Sequence, residues 1–86
     1  VQFYPNPLSA DSKLVFDLEK NSTVKITIVN VLGEVIAQED LGTLKSGNYQ
    51  VNITSHFKDV SVGLYTVSVE IDGLLERLKV LYTNEK

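Results

Sequence analysis

The chain has 86 residues and no cysteine, methionine or tryptophan, a length that gives one domain hiding about 60% of its unfolded surface and leaves little room for an enzyme's scaffold, pocket and catalytic set. Without cysteine it has no disulfide framework, no thiolate metal site and no thiol nucleophile. The formal net charge is −3, with three basic and six acidic groups in residues 1–43 and five of each in 44–86; a weakly acidic chain without a basic block does not read as a nucleic-acid binder, and no apolar run approaches the roughly 18 residues of a helical membrane span.

In chain order, Gln2-Phe3-Tyr4 reads as a short extended edge segment that leaves its sheet at Pro5-Asn6-Pro7, because proline lacks a backbone donor and pushes its predecessor toward extended geometry. Over 13–19, Leu14, Phe16 and Leu18 fall on one face of a strand and Asp17 and Glu19 on the other. Asn21-Ser22 signals a turn. Residues 23–30 repeat the alternation, with Val24, Ile26 and Ile28 inward and Lys25 and Thr27 outward. Val31-Leu32-Gly33-Glu34 reverses the chain, and 35–39 run back as a fourth strand. Residues 41–47, with Gly42 and Gly47, read as a loop.

Tyr49, Val51 and Ile53 then alternate with Asn48, Gln50 and Asn52, and 55–62 read as polar and irregular. From Gly63, Tyr65, Val67, Val69 and Ile71 alternate with Thr66, Ser68 and Glu70. Asp72-Gly73 follows, a pair suited to the positive φ angles of a type I′ turn. A two-residue turn there pairs Ile71 with Leu74, Val69 with Glu76, Val67 with Leu78 and Tyr65 with Val80. Glu76 is the mismatch, so it lies near a solvated end or a bulge shifts the register.

Composition agrees with this alternation. Val, Ile and Thr supply 23 residues and Ala only 2, a bias toward pleated sheet and away from helix, and no window has a good helical period. About seven short strands, with turns every 8–12 residues or so, predict an all-β chain folded as an immunoglobulin-like antiparallel β-sandwich. A small β-barrel is the alternative. The expected core is Leu14, Phe16, Leu18, Val24, Ile26, Ile28, Val51, Ile53, Val67, Val69, Leu78 and Val80. Positive φ is expected at Gly33, Gly47, Gly63 and Gly73. The domain is read as an edge segment 1–7, a sandwich 8–82 and a short tail 83–86.

One pattern occurs twice. Gly47-x-Tyr49-x-Val51-x-Ile53 returns sixteen residues later as Gly63-x-Tyr65-x-Val67-x-Val69. Its simplest physical reading is a flexible start to each strand followed by a ring that caps the core and bonds backbone through its hydroxyl. Catalytic patterns are weak. His56 is the single histidine, and Ser55 and Asp59 beside it share one loop instead of converging from separate segments as triads do. Glu39-Asp40 and Asp11 lack the spacing of a metal site, and no glycine loop precedes a helix. No metal and no cofactor is expected. Asn21-Ser22-Thr23 and Asn52-Ile53-Thr54 fit the N-glycosylation pattern, which matters only in a eukaryotic secreted protein.

Taken in order, Tyr4-Pro5-Asn6-Pro7, the strand 26–31 with Leu32-Gly33-Glu34-Val35, Gly47-Asn48-Tyr49, Gly63-Leu64-Tyr65 and Leu78-Lys79-Val80 resemble the type A C-terminal sorting domain of the bacterial type IX (Por) secretion system. The resemblance runs from Phe3 to about Tyr82. It implies a non-enzymatic, seven-stranded domain at the C-terminus of a larger cargo in the same polypeptide. Its partners would be the outer-membrane translocon with its shuttle or receptor proteins and a sortase-like signal peptidase, and not nucleic acid. The cargo would pass through the periplasm to the outer membrane and cell surface. The peptidase would cut the linker upstream of Pro5-Asn6-Pro7, before Val1, and the domain would be released.

The resemblance names Pro5, Asn6, Pro7, Leu32, Gly33, Gly47, Tyr49, Gly63, Tyr65, Arg77 and Lys79 as recognition residues. Two departures stand out. Arg77-Leu78-Lys79 spreads cations that the family often places side by side, and Thr83-Asn84-Glu85-Lys86 runs past the usual apolar ending. The last strand, 75–82, is the natural place for a receptor to pair at an edge; equally, its cations read as gatekeepers against aggregation. The alternative function is a structural or carbohydrate-binding accessory module of a secreted hydrolase, which the absence of tryptophan disfavours.

Overall fold

The structure, a computed structural model, describes residues 2–4, 12–57 and 60–83. Its elements are β1 (Gln2–Tyr4), β2 (Lys13–Leu18), β3 (Ser22–Val29), β4 (Val35–Leu44), β5 (Gly47–Val51), a 3-10 turn (Thr54–Phe57), β6 (Gly63–Ile71) and β7 (Leu74–Tyr82). They form two antiparallel sheets, ordered β1-β2-β5 and β4-β3-β6-β7. This is the immunoglobulin-like sandwich that the alternation predicts, with β4 on the sheet of β3. No ladder joins the two sheets among the described residues, which sets the barrel aside.

The core lies between the sheets. Leu14, Phe16 and Leu18 project from β2, Val24, Ile26 and Ile28 from β3, and Tyr65, Val67 and Val69 from β6. These strands are central or flanked on both sides, so one face of each is fully covered and the period of two stays clean. Val51 and Leu78, expected inside, are only half-buried. Both sit on edge strands, where the facing sheet covers less of the side chain.

The β6–β7 hairpin has the expected register throughout, from Ile71 opposite Leu74 to Tyr65 opposite Val80. Glu76 stays opposite Val69 without a bulge and remains exposed, so the mismatch is resolved by solvent. The turn has φ +50° at Asp72 and +84° at Gly73. Asp72 also fastens the hairpin to β3. Its backbone N–H donates to Thr23 O (3.0 Å), and its carboxylate Oδ1 accepts from Thr23 N (2.9 Å) and Thr23 Oγ1 (3.3 Å). The backbone N–H of Thr23, helped by the Ser22 and Thr23 hydroxyls and the charge of Lys20, holds this exposed carboxyl below its usual 3.8.

Two segments differ from the sequence reading. Residues 41–44, read as loop, continue β4. The register against β3 shifts between Val24 and Lys25 and again between Ile28 and Val29, so β4 carries two irregularities. Gly42 takes φ +68°, and its N–H donates to Asp40 Oδ1 (2.9 Å). A glycine in a left-handed bulge prolongs an irregular edge strand instead of ending it, and the bulges twist that edge away from other strands.

The second difference is at 54–57, where no helical structure was expected and a 3-10 turn forms. Asn52 Oδ1 starts it by accepting from Thr54 N (2.9 Å), and His56 N donates to Ile53 O (3.1 Å). The turn drives Phe57 into the core, where it is 1% exposed. Its ring meets Tyr65 edge-on at 5.2 Å and Tyr82 at 5.5 Å. His56 Nε2 donates to Glu39 Oε1 (2.9 Å), tying this turn to β4.

Candidate functional site

The repeated glycine–tyrosine pattern builds the same device twice. Gly47 and Gly63 both take φ +147°, and each tyrosine two residues on bonds the carbonyl four residues before itself. Tyr49 Oη donates to Lys45 O (2.6 Å), and Tyr65 Oη donates to Ser61 O. Each ring leans on a phenylalanine: Tyr49 stacks on Phe16 at 5.6 Å, and Tyr65 packs against Phe57. A tyrosine bonded back to upstream backbone fixes the approach of the chain into its strand, as tyrosine corners do in related sandwiches.

Gly33 and Leu32 lie in the β3–β4 turn, which Asn30 organises. Asn30 Oδ1 accepts from Leu32 N and Glu34 N, both at 3.0 Å, and Asn30 Nδ2 donates to Glu34 Oε1 at 2.8 Å. The main chain adds Gly33 N to Asn30 O and Asn30 N to Glu34 O, each 3.0 Å. This rigid turn points its apolar residues outward: Val31 is 78% and Leu32 79% exposed.

Because Val29 pairs with Thr66, the turn sits beside the start of β6. Leu32-Gly33 and Gly63-x-Tyr65, far apart in sequence, therefore meet at one end of the four-stranded sheet. Between them is an open groove of about 350 Å³, lined by Val31, Leu32, Ile36, Val60, Val62 and Leu64. Gly47 and Tyr49 are elsewhere, on β5 of the other sheet, opposite Leu18 and Phe16. Pro5, Asn6 and Pro7 lie outside the described residues.

Arg77 and Lys79 are exposed on the outer face of β7, opposite Ser68 and Thr66. Leu64 and Leu81 pair on that same face, next in line toward the groove. Sequence reasoning singled out Leu32 and the glycines but not Asn30, Val31, Val62 or Leu64. For Asn30 the available signal was an asparagine three residues before a turn glycine. For the exposed aliphatics there was none, because an apolar residue in a strand-turn pattern reads as core.

Among the described residues no group of three or more His, Cys, Asp or Glu side chains could hold a metal ion. His56 is engaged by Glu39, and Asp59 lies outside the described residues. No described helix is long and apolar enough to cross a membrane.

No curated protein and no solved structure matches the chain. The description of the secretion system C-terminal sorting domain family does match, over residues 2–81. That span begins with β1 and ends within β7, so it takes in every strand of both sheets. The chain therefore belongs to the C-terminal sorting domains of type IX secretion.

Proposed function

We propose that the whole of 1–86 acts as one sorting unit at the end of a larger cargo and is itself a substrate, not an enzyme. The cargo reaches the periplasm by an ordinary leader, and the folded sandwich is then bound by a receptor of the type IX machinery and passed to the outer-membrane translocon. A sortase-like peptidase cuts the linker before Val1, in flexible chain and not in a sheet, and leaves the cargo at the cell surface. The observation that carries this reading is the family match along the entire sandwich. It is supported by Arg77 and Lys79, which display two cations on the outer face of the last strand of a chain whose net charge is −3. The accessory-module alternative has less support, since Tyr49, Tyr65 and Tyr82 each pack against a phenylalanine ring.

The test is a fusion of a leader, a passive reporter, a linker and residues 1–86 in a host with a type IX system. The reporter should reach the surface, and without the domain it should stay in the periplasm. Deleting 77–86 should abolish export, though this also removes buried Val80. Arg77→Glu with Lys79→Glu is the cleaner variant, since exposed substitutions usually change stability by only about 0.5 kcal/mol. Loss of export with an unchanged melting transition assigns recognition to this face. Normal export of the charge-reversed variant makes the two cations edge gatekeepers, and a wild-type fusion retained in the periplasm refutes the sorting reading.

A further inference from the structure

The groove between the β3–β4 turn and the start of β6 has two walls that are held rigidly yet show apolar side chains to water. The Asn30 network and Gly33 fix one wall, and Gly63 with the Tyr65–Ser61 bond fixes the other. A turn needs no apolar residues at its tip, and Val31 and Leu32, more than three-quarters exposed, add little to the core. Val35, Val62, Leu64 and Leu81 extend the exposed aliphatic surface around the same end of the sheet. A contiguous apolar patch of this kind on a small domain marks a place where another molecule sits.

The charges beside the patch indicate what that molecule carries. On the outer face of β7, Leu81, Lys79 and Arg77 follow one another at alternate positions, about 7 Å apart for an extended strand. Among the described residues, Glu70 and Asp40 lie on this sheet face toward its other end, where they flank Lys25. Glu34, in the β3–β4 turn, is engaged by Asn30. A cationic line therefore leads away from an apolar groove on a chain that is acidic overall, an arrangement that orients an acidic partner and repels it elsewhere.

We infer that this groove and the adjoining β7 face form one docking surface for an extended protein segment with an aliphatic residue followed by carboxylates at alternate positions. The aliphatic side chain enters the groove beside Leu32 and Leu64. The first carboxylate meets Lys79 and the second meets Arg77. Ser68 and Thr66, opposite these cations, supply hydroxyls to the same face. Tyr65, at 6% exposed, serves by holding the wall. In the cell this surface would be the one read during export, and to that extent it rests on the sorting proposal.

Two measurements test it. In the first, the isotope-labelled 86-residue chain is titrated with the synthetic peptide Leu-Thr-Glu-Thr-Glu-Thr and followed by amide chemical shifts. Changes should centre on Val31, Leu32, Leu64 and Arg77. The peptides with Lys in place of Glu, or Ser in place of Leu, should bind at least about tenfold more weakly. Shifts centred elsewhere, no shifts, or equal binding of the lysine peptide overturn the inference, whatever happens in cells. In the second, Val31→Ser with Leu32→Ser, and separately Leu64→Ser, are placed in the export fusion. Both should lose surface delivery while melting within about 4 °C of wild type. If wild type is exported and both variants are exported equally well, the groove is not the docking surface and the sorting reading stands. If wild type is retained, the sorting reading falls and the peptide titration alone decides the groove.

Discussion

Phe57→Ala tests the packing of this sandwich where the 3-10 turn contributes to the core. Phe57 arrives from the 3-10 turn, is 1% exposed, and touches the rings of Tyr65 and Tyr82. Truncating a buried phenylalanine costs about 3–5 kcal/mol through lost transfer energy and the cavity left behind. The two ring contacts, each worth about 0.5–1.5 kcal/mol beyond area burial, place the expected cost in the upper half of that range. A domain of this size has a total stability of about 4–13 kcal/mol, so roughly a third or more of it is at stake. At about 4–8 °C per kcal/mol for a domain this small, the melting temperature should fall by at least about 15 °C.

Urea unfolding followed by far-ultraviolet circular dichroism gives the number, with an unchanged m value as the condition for reading it as stability. Phe57→Leu should recover part of the loss, since a large apolar side chain still fills the site. Because Tyr65 and Tyr82 both lean on Phe57, pairing Phe57→Ala with Tyr82→Ala should cost less than the sum of the two single changes. A loss under about 1 kcal/mol for Phe57→Ala would mean that the turn floats on the surface and that the aromatic cluster does not anchor it.

Three further outcomes follow from the same geometry. Gly73→Val puts a β-branched side chain at φ +84° and should cost about 2 kcal/mol through backbone strain, read by urea unfolding; space is open around the Cβ, so Gly73→Asn should cost clearly less. The Asp72 carboxyl binds its proton less readily folded than unfolded, so its contribution is complete above the usual 3.8 and drains away as pH falls below it. The stability gap between wild type and Asp72→Asn, measured by chemical unfolding from pH 7 to pH 2, should therefore narrow below about pH 4, and a gap that widens there would contradict the Thr23 clamp. Tyr65→Phe should cost about 1 kcal/mol and Tyr49→Phe less, because Tyr65 is buried and the Tyr49 bond is exposed to water.

What the sequence made legible follows from where each strand sits. Leu14, Phe16 and Leu18 and then Val24, Ile26 and Ile28 belong to strands with neighbours on both sides, so burial sorts their faces without ambiguity. Asp72-Gly73 was legible because few residue pairs accept two positive φ angles in succession. Gly42 misled because a glycine that ends a strand and one that bulges it look alike until Asp40 is seen to accept its N–H. Phe57 was hidden because an apolar residue in an irregular loop follows no period, and only the Asn52 turn decides that it points inward.

The surface was least legible for a related reason. Gly63 and Tyr65 recur as a motif because the device they build is stereochemically strict: a glycine at φ +147° and a hydroxyl that must reach the carbonyl of Ser61. Asn30 and Gly33 are bound in the same way by their turn. The side chains displayed by these devices beside Leu32, namely Val31, Val62 and Leu64, need only be aliphatic, so chemistry leaves them free to vary in shape and spacing. A motif composed of the strict residues thus marks the walls of a surface and not the surface itself. The same logic separates the two glycine–tyrosine copies. The copy at Tyr65 stands beside an exposed groove, whereas the copy at Tyr49 stacks on Phe16 on the other sheet. Identical local chemistry therefore braces a strand entry in both places, and at Tyr65 it also stands at the wall of the groove.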